Sequence, residues 1–283
     1  MLTLSVRPDD SPRRALRSLA ALALALPLGC GDPELTGEDA SAAAQPDTTA
    51  TAPDVTTAEP DASRGEPDAP SPGELSVVSL DDGSTLCTPP GPGPFPGVLY
   101  NHGGLGVAVG GDLVGTCRAL AEAGYVGYSK QRRLTESRAI VGHIDDVYDG
   151  LDALLAADGV DPERIAIMGF SRGGLLTLQA ATERPNTFSA IVTMAPASAK
   201  GLLATVLEGA AQIDAPVLVL VSDNDLFQDD HVTLAQDVVD ALEGADKPVE
   251  HILYGPFGDD GHERFFTVGS YWGDVTTFLE AHL

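Results

Sequence analysis

The feature that most constrains this fold is a serine between two glycines, at the point where an apolar run meets a helical pattern. Residues 164–170, RIAIMGF, read as a buried strand, and residues 172–183 read as a helix. Gly169 and Gly173 lie two positions before and after Ser171. A sharp strand-to-helix turn crowds these neighbours, so they must lack side chains. The pattern predicts a turn that presents Ser171 as a nucleophile.

Short strand-like runs alternate with helical stretches from residue 75 onward, which predicts an α/β fold with a mostly parallel central sheet and helices on both faces. The strand candidates are 75–80, 96–102, 125–130, 164–170, 188–195, 215–222 and 249–255. The helix candidates are 112–123, 139–157, 172–183, 200–211, 231–243 and 270–282. The segment from Pro196 to Asp214 is too short for a large lid domain. We predict a single domain over 75–283.

The second helix candidate, 139–157, has a clear helical period. We expect one face of it to point toward the core, carrying Ile144, Val147, Leu151, Leu154 and Leu155. Its acidic residues are then expected to lie mostly on the solvated face. Pro162 is expected to force a turn before the following strand.

An acid and a base for Ser171 are expected later in the chain, after the last strands of the sheet. The strand at 215–222 ends in a cluster of aspartates, of which Asp225 is preferred over Asp223. Among the later histidines, His262 lies in a glycine-containing loop that follows the last strand candidate. An imidazole held by an aspartate can accept the serine proton.

Backbone amides that could hold an oxyanion are expected at two places. The amide of Arg172, at the start of the helix, points at the space above Ser171. The glycine-bearing loop at 99–106 should supply a second donor, with Gly104 as first choice and Leu105 as the next. His102 precedes Ser171 in the chain, so we expect it to hold this loop by a hydrogen bond rather than to act as the base.

The motifs HGG, DPERIAIMGFSRGG, PVLVLVSDNDLF and GHERFF together resemble the dienelactone hydrolase-like branch of the α/β-hydrolases, which is akin to prolyl-oligopeptidase catalytic domains. The resemblance spans nearly all of 75–283. It implies the α/β-hydrolase fold, with Ser171 as nucleophile, Asp225 as acid, His262 as base, and oxyanion amides at Gly104 and Arg172. Dienelactone hydrolases proper use cysteine, so the serine favours general esterase chemistry.

The first 74 residues read as an export and tethering segment. Residues 1–30 combine a basic stretch with a short apolar run, which indicates a signal peptide. Its end, LPLGC, resembles the lipobox of bacterial lipoproteins, which implies lipidation at Cys30; an ordinary signal peptide cut nearby is the alternative. Residues 31–74, rich in Ala, Thr, Pro and Asp, are expected to form a disordered acidic tether. We therefore expect an exported protein anchored to a bacterial envelope membrane, or else a secreted or periplasmic one.

Charge and cysteine content limit the partners. The formal net charge of −26 argues against nucleic acid. No cysteine or histidine pattern indicates a metal site, and the expected chemistry needs no cofactor. Cys87 and Cys117 would remain as a pair in an oxidising compartment, as a disulfide or as two buried thiols.

The function that these features predict is cleavage of carboxylic esters through an acyl-enzyme, on small-molecule or polymer substrates. Two alternatives remain open. One is a serine peptidase of exopeptidase type that uses the same site. The other is a non-catalytic envelope binding protein built on a hydrolase scaffold.

Overall fold

The computed structural model describes residues 73–104, 106–135, 139–140 and 142–283. The predicted signal peptide at 1–30, with Cys30, lies outside the described residues. So does the predicted tether at 31–74, except for its last two residues, and so does Leu105. Within the described ranges, no helix combines the length and the apolar character needed to cross a membrane.

Eight strands form one sheet in the order β1-β2-β4-β3-β5-β6-β7-β8. Their bounds are β1 Ser76–Ser79, β2 Thr85–Thr88, β3 Phe95–Asn101, β4 Val126–Lys130, β5 Val160–Phe170, β6 Ala190–Met194, β7 Val217–Ser222 and β8 Val249–Tyr254. β1 and β2 pair antiparallel, as do β2 and β4, and the remaining pairs are parallel. The predicted mostly parallel sheet is confirmed.

Six α-helices connect and cover these strands. They are α1 Leu113–Glu122, α2 His143–Leu155, α3 Arg172–Glu183, α4 Leu202–Leu207, α5 His231–Gly244 and α6 Trp272–His282. Short 3-10 helices occur at Ala210–Gln212 and Gly261–Phe265. Between β6 and β7 the described chain holds only α4 and the first of these 3-10 helices, so the predicted absence of a large lid is confirmed.

Two apolar layers, one on each face of the sheet, form the core. Successive side chains of β5 alternate between them: Ile165 and Ile167 join one layer, and Ala166 and Met168 join the other. Because helices cover both faces, neither set of side chains meets solvent. This double burial explains why the sequence of a central strand is a continuous apolar run rather than an alternating one.

The structure corrects several details of the sequence interpretation. Strand β2, TLCT, was not predicted because it is short and half polar. Helix α2 begins at His143 rather than at 139, after Gly142 in a left-handed conformation. Leu155, predicted to face the core, is 40% exposed, whereas Asp146, on the predicted solvated face, is 5% exposed.

Pro162 was expected to force a turn before the following strand. In the structure it lies inside that strand, β5. The pairing of β3 with β5 shifts at this point, from Pro96 opposite Asp161 to Gly97 opposite Ile165. The bulge leaves Pro162 outside the regular ladder. A proline is tolerated there because no ladder hydrogen bond requires its missing N–H.

A disulfide joins strand β2 to helix α1. Cys87 in β2 and Cys117 in α1 have sulfurs 2.13 Å apart and Cα atoms 5.6 Å apart. Both side chains are fully buried. Of the two possibilities that the sequence left open, the structure has the bonded pair.

Breaking this disulfide should lower the free energy of unfolding. The bond closes a loop with a sequence separation of 30, and the loss of unfolded-state entropy from a loop of that size stabilises a fold by about 3–4 kcal/mol. Urea unfolding of the Cys87→Ala/Cys117→Ala variant should show a loss of this order. Treating the wild type with a reductant should reproduce the loss, and the reductant should leave the double variant unchanged. Equal midpoints for wild type and double variant would contradict the structural bond.

Candidate active site

Ser171 lies on a strained turn between β5 and α3. Its backbone has φ 55° and ψ −117°, outside the regions that residues with side chains usually adopt. A Cβ on Gly169 would overlap the Gly173 carbonyl, and one on Gly173 would overlap the carbonyl of Asn101. The turn therefore closes only because both flanking positions are glycine, which is the physical reason anticipated for the G-x-S-x-G pattern.

A glycine loop that follows β3 lies against this turn. A Cβ on Gly103 would come within 3.0 Å of the Ser171 Cβ, so the loop packs directly on the serine. Gly103 and Gly110 exchange backbone hydrogen bonds of 2.7 and 3.1 Å. The Gly103 amide is thus engaged, whereas Gly104, at φ +94°, lies outside this exchange and lines the cavity next to Ser171.

Asp225 and His262 contact each other through their side chains. The Nδ1 atom of His262 is 3.0 Å from each Asp225 carboxylate oxygen, and both side chains are buried. Asp223, the alternative acid, is exposed. With Nδ1 engaged by the carboxylate, Nε2 is the nitrogen of His262 available for proton transfer.

The segment that carries His262 is a buried 3-10 helix rather than the predicted loop. Asp260 accepts a hydrogen bond from the His262 amide at 3.0 Å and caps this helix. A Cβ on Gly261 would lie 2.6 Å from the Ser222 Cβ and 2.8 Å from the Asp225 amide. Only glycine lets the segment approach β7 closely enough for the imidazole to meet Asp225.

A cavity of about 660 Å³ brings the candidate residues together. Gly104, Ser171, Arg172 and His262 all line it. The amide of Arg172 is in the first turn of α3, where N–H groups have no partner within the helix. The two residues expected to supply oxyanion amides therefore line the same cavity as the serine and the imidazole. This set of groups can perform acyl transfer.

His102 holds the glycine loop, in agreement with the expected structural role. Its Nε2 accepts a hydrogen bond from the Arg132 amide at 3.2 Å, which places the proton on Nδ1, next to the Gly103 carbonyl. Burial, together with the positive charge of Arg132, lowers the pKa of His102 to about 3. The ring is therefore neutral at physiological pH, and its low pKa makes it too weak a proton acceptor to be a good base.

Arg132 is a functional candidate that the sequence interpretation missed. It is 2% exposed, and its guanidinium donates to the carbonyls of His102 and Gly103, to the latter at 3.2 Å. Burial lowers its pKa to about 10, so it stays charged at neutral pH. The available signal was its position just after β4, at the carboxyl edge of the sheet where Ser171 also lies.

His231 is the first residue of α5, as the helix candidate at 231–243 predicted. It also lines the cavity, with its ring centroid 4.3 Å from that of His262. Its Nδ1 is 3.1 Å from the Pro196 carbonyl and its Nε2 is 3.0 Å from the Phe227 carbonyl. It thereby links the loops that follow β6 and β7.

Asp225, His231 and His262 form one group of potential metal ligands, with ligand atoms within 4.8 Å of one another. The Asp225 oxygens contact His262 Nδ1, and both ring nitrogens of His231 lie within hydrogen-bond distance of backbone carbonyls. These contacts describe a hydrogen-bonded cluster.

The comparisons with known proteins agree with this geometry. Residues 138–206, which include Ser171, match the prolyl oligopeptidase family model. A stretch of 98 residues is 31% identical to the "Putative esterase NocK" of Nocardia uniformis subsp. tsuyamanensis; it covers 34% of this chain and 28% of NocK.

Solved structures share the fold at low identity. The Pyrococcus horikoshii acylaminoacyl peptidase has a TM-score of 0.58 at 18% identity, over 74% of this chain and 42% of that chain. A "Putative Dienelactone Hydrolase" from Klebsiella pneumoniae subsp. pneumoniae has a TM-score of 0.56 at 20% identity, over 73% and 98% of the two chains. The acetyl xylan esterase of Paenibacillus sp. R4 has a TM-score of 0.53 at 16% identity, over 74% and 88%.

This chain has the α/β-hydrolase fold. The family match and the esterase-like relative support a serine hydrolase within it. The aligned part covers 28% of NocK and 42% of the acylaminoacyl peptidase. The activities of those whole proteins are therefore not assigned to this chain.

Replacing Arg132 should impair catalysis more than stability. Arg132→Met would remove the guanidinium that donates to the carbonyls of both His102 and Gly103, so the neighbouring Gly104 amide would be held less firmly in position. We expect kcat for p-nitrophenyl acetate to fall roughly 10- to 100-fold, with a smaller change in KM. This fall in kcat is no larger than the one caused by removing a whole oxyanion donor.

Arg133→Met is the matched control, because Arg133 pairs with Asp146 and its side chain is 49% exposed. It should keep kcat within about threefold of wild type, because Arg133 does not line the cavity, even though its removal takes one partner from the buried Asp146 carboxylate. Thermal unfolding of both variants would show whether the fold is retained. A folded Arg132→Met protein with wild-type kcat would contradict the positioning role.

Proposed function

We propose that this protein is a serine hydrolase that cleaves carboxylic esters through an acyl-enzyme. The observation that carries the proposal is the buried pair of Asp225 and His262, set beside the strained Ser171 on one cavity. A solvent-exposed serine with no neighbouring base would be a weak nucleophile. Here the carboxylate fixes the ring so that Nε2 is the nitrogen left to accept the Ser171 proton.

In the proposed mechanism, the Ser171 hydroxyl attacks the ester carbonyl carbon while His262 accepts its proton. The amides of Gly104 and Arg172 stabilise the resulting oxyanion, each by about 3–4 kcal/mol. The protonated His262 then donates its proton to the leaving alcohol, which departs and leaves an acyl-Ser171. Water, deprotonated by His262, releases the acid and restores the serine. Asp225 orients the ring and stabilises its charged form throughout.

The cavity supports a small or exposed ester as substrate. Its lining mixes apolar side chains, among them Val109, Phe170 and Phe266, with the polar groups named above. The described chain between β6 and β7 contributes no lid domain over it. The likeness of one stretch to NocK, itself described as an esterase, points the same way.

Ser171→Ala should abolish turnover of p-nitrophenyl acetate, because the variant lacks the hydroxyl that forms the acyl-enzyme. A loss of at least about 10⁴-fold in kcat is expected for removal of such a nucleophile. The measurement is release of p-nitrophenol, with circular dichroism to show that the fold is retained. Ser198→Ala is a suitable control, since Ser198 lines the same cavity without being on the turn. Turnover that persists in Ser171→Ala would reject the assignment.

A peptidase is the second candidate, and the match to the prolyl oligopeptidase family model favours it. The same groups can attack an amide, but an amine leaving group needs fuller proton donation from His262 than an alcohol does. Comparing p-nitrophenyl acetate with p-nitroacetanilide changes only the scissile bond. We expect the ratio of kcat/KM for the ester to kcat/KM for the anilide to be larger than the ratio of their uncatalysed hydrolysis rates. An anilide turned over as efficiently as the ester would favour the peptidase.

A further inference from the structure

Both ring nitrogens of His231 face hydrogen-bond acceptors. Nδ1 is 3.1 Å from the Pro196 carbonyl oxygen, and Nε2 is 3.0 Å from the Phe227 carbonyl oxygen. A neutral imidazole has one N–H, so its other nitrogen would present a lone pair to a carbonyl lone pair. The ring is buried, so bulk water does not replace a contact that is missing. Only the imidazolium, with an N–H on each nitrogen, donates to both carbonyls.

The carboxylate of Asp225 gives a second reason for this positive charge. Asp225 is fully buried, and its Oδ1 lies 4.0 Å from His231 Nε2 as well as 3.0 Å from His262 Nδ1. We call these three side chains the buried cluster. If both rings were neutral, the buried cluster would hold a negative charge that none of its members balances, which costs free energy. A proton on each nitrogen of His231 makes the cluster neutral and leaves His262 free to accept a proton.

The other titratable groups near His231 are more accessible to solvent. Asp229 and Asp230 precede it in the chain, are exposed, and accept hydrogen bonds from hydroxyl groups. Arg172, which is half-buried, and Lys200, which is exposed, line the same cavity. Solvent and salt screen charges at such positions more strongly than charges that are buried together. The interactions within the buried cluster therefore dominate the charge of His231.

The ring of His231 also packs against the ring of His262. The two centroids are 4.3 Å apart, and the ring planes are inclined by 37°. A positive charge at this distance opposes a second positive charge on His262. It favours the neutral form of His262, which accepts a proton, and it makes the protonated form a stronger acid toward a leaving alcohol.

We propose that His231 is a positively charged positioning residue of this active site, with a proton on each ring nitrogen, and that its charge favours the proton-accepting form of His262. The inference rests on the proposed hydrolase function and deepens it. Asp225 orients His262 and favours its protonated form, whereas His231 limits that effect. His231 keeps its own two protons throughout turnover and acts through His262. Its two N–H groups also hold the loop after β6 against the loop after β7.

The charge of His231 can be measured without any catalytic activity. In protein labelled with ¹⁵N-histidine, two-bond ¹H–¹⁵N correlation spectra report the protonation of both ring nitrogens. At pH 7 the nitrogens of His231 should have the two similar shifts of an imidazolium, and the signals missing from His231→Gln identify them. His102, whose pKa is about 3, should show the two separated shifts of a neutral ring and serves as the internal reference. Separated shifts for His231 would overturn the inference.

The pH dependence of kcat/KM for p-nitrophenyl acetate tests the effect on His262. The loss of activity toward acidic pH reports protonation of the base in the free enzyme. His231→Gln and His231→Phe both lack the positive charge, so protonation of His262 becomes more favourable. The midpoint of the acidic loss should move up by roughly one to two pH units in both variants. Because phenylalanine keeps a ring without N–H groups and glutamine keeps N–H groups without a ring, a shared shift reports the charge.

His251→Gln is the matched control, because His251 is a half-buried histidine on β8 that does not line the cavity. It should leave the midpoint unchanged. A midpoint that stays the same or moves down in both His231 variants would overturn the inference, even if their rates fall, since that result describes a structural role alone. Failure of the esterase proposal would look different. The wild type would then not hydrolyse p-nitrophenyl acetate at any pH, while the spectra would still report the charge of His231.

Discussion

The site depends on one backbone constraint, the turn that carries Ser171 from β5 into α3 at φ 55°. A residue with a side chain adopts this conformation only when its surroundings leave no alternative. Here those surroundings are a parallel strand on each side of β5, a helix that starts at once, and glycines where a Cβ would overlap the backbone. The folding free energy of the whole sheet thus stabilises the strained backbone of Ser171, whose side chain lies at the edge of a cavity.

Three loops from distant parts of the chain close on this turn, and each needs a specific contact to reach it. The glycine loop after β3 is held by His102 and Arg132. Asp225 follows β7, and His262 lies on a 3-10 helix that passes close to β7 because residue 261 is glycine. All of these segments lie at the carboxyl ends of parallel strands, where α/β sheets place their ligands. The chemistry therefore follows from topology together with a few close backbone approaches.

The sequence predicted the strands and helices that repeat a strong pattern. It also selected, from motifs, Ser171 and His262, which line one cavity, and Asp225, which contacts His262. It failed where burial depends on long-range contacts. Nothing in SKQRR marks Arg132 as buried, since an arginine after a strand is usually solvated, and its partners are carbonyls some 30 residues away in the chain. Asp146 was assigned to the solvated face of α2 by periodicity, but it binds Arg133.

The choice between Asp225 and Asp223 was likewise undecidable from order along the chain. It depends on which carboxylate turns inward, and only the contact with His262 distinguishes the two.

The central claim is that Ser171 is activated by His262 within this cavity. Its most direct test is reaction with a fluorophosphonate, followed by peptide mapping by mass spectrometry, on the wild type and on His262→Ala. A phosphonyl group bonds only to an activated serine, so the account predicts a single adduct on Ser171 that is lost when the imidazole is removed. An adduct on a different serine, or one on Ser171 that forms equally fast without His262, would contradict it.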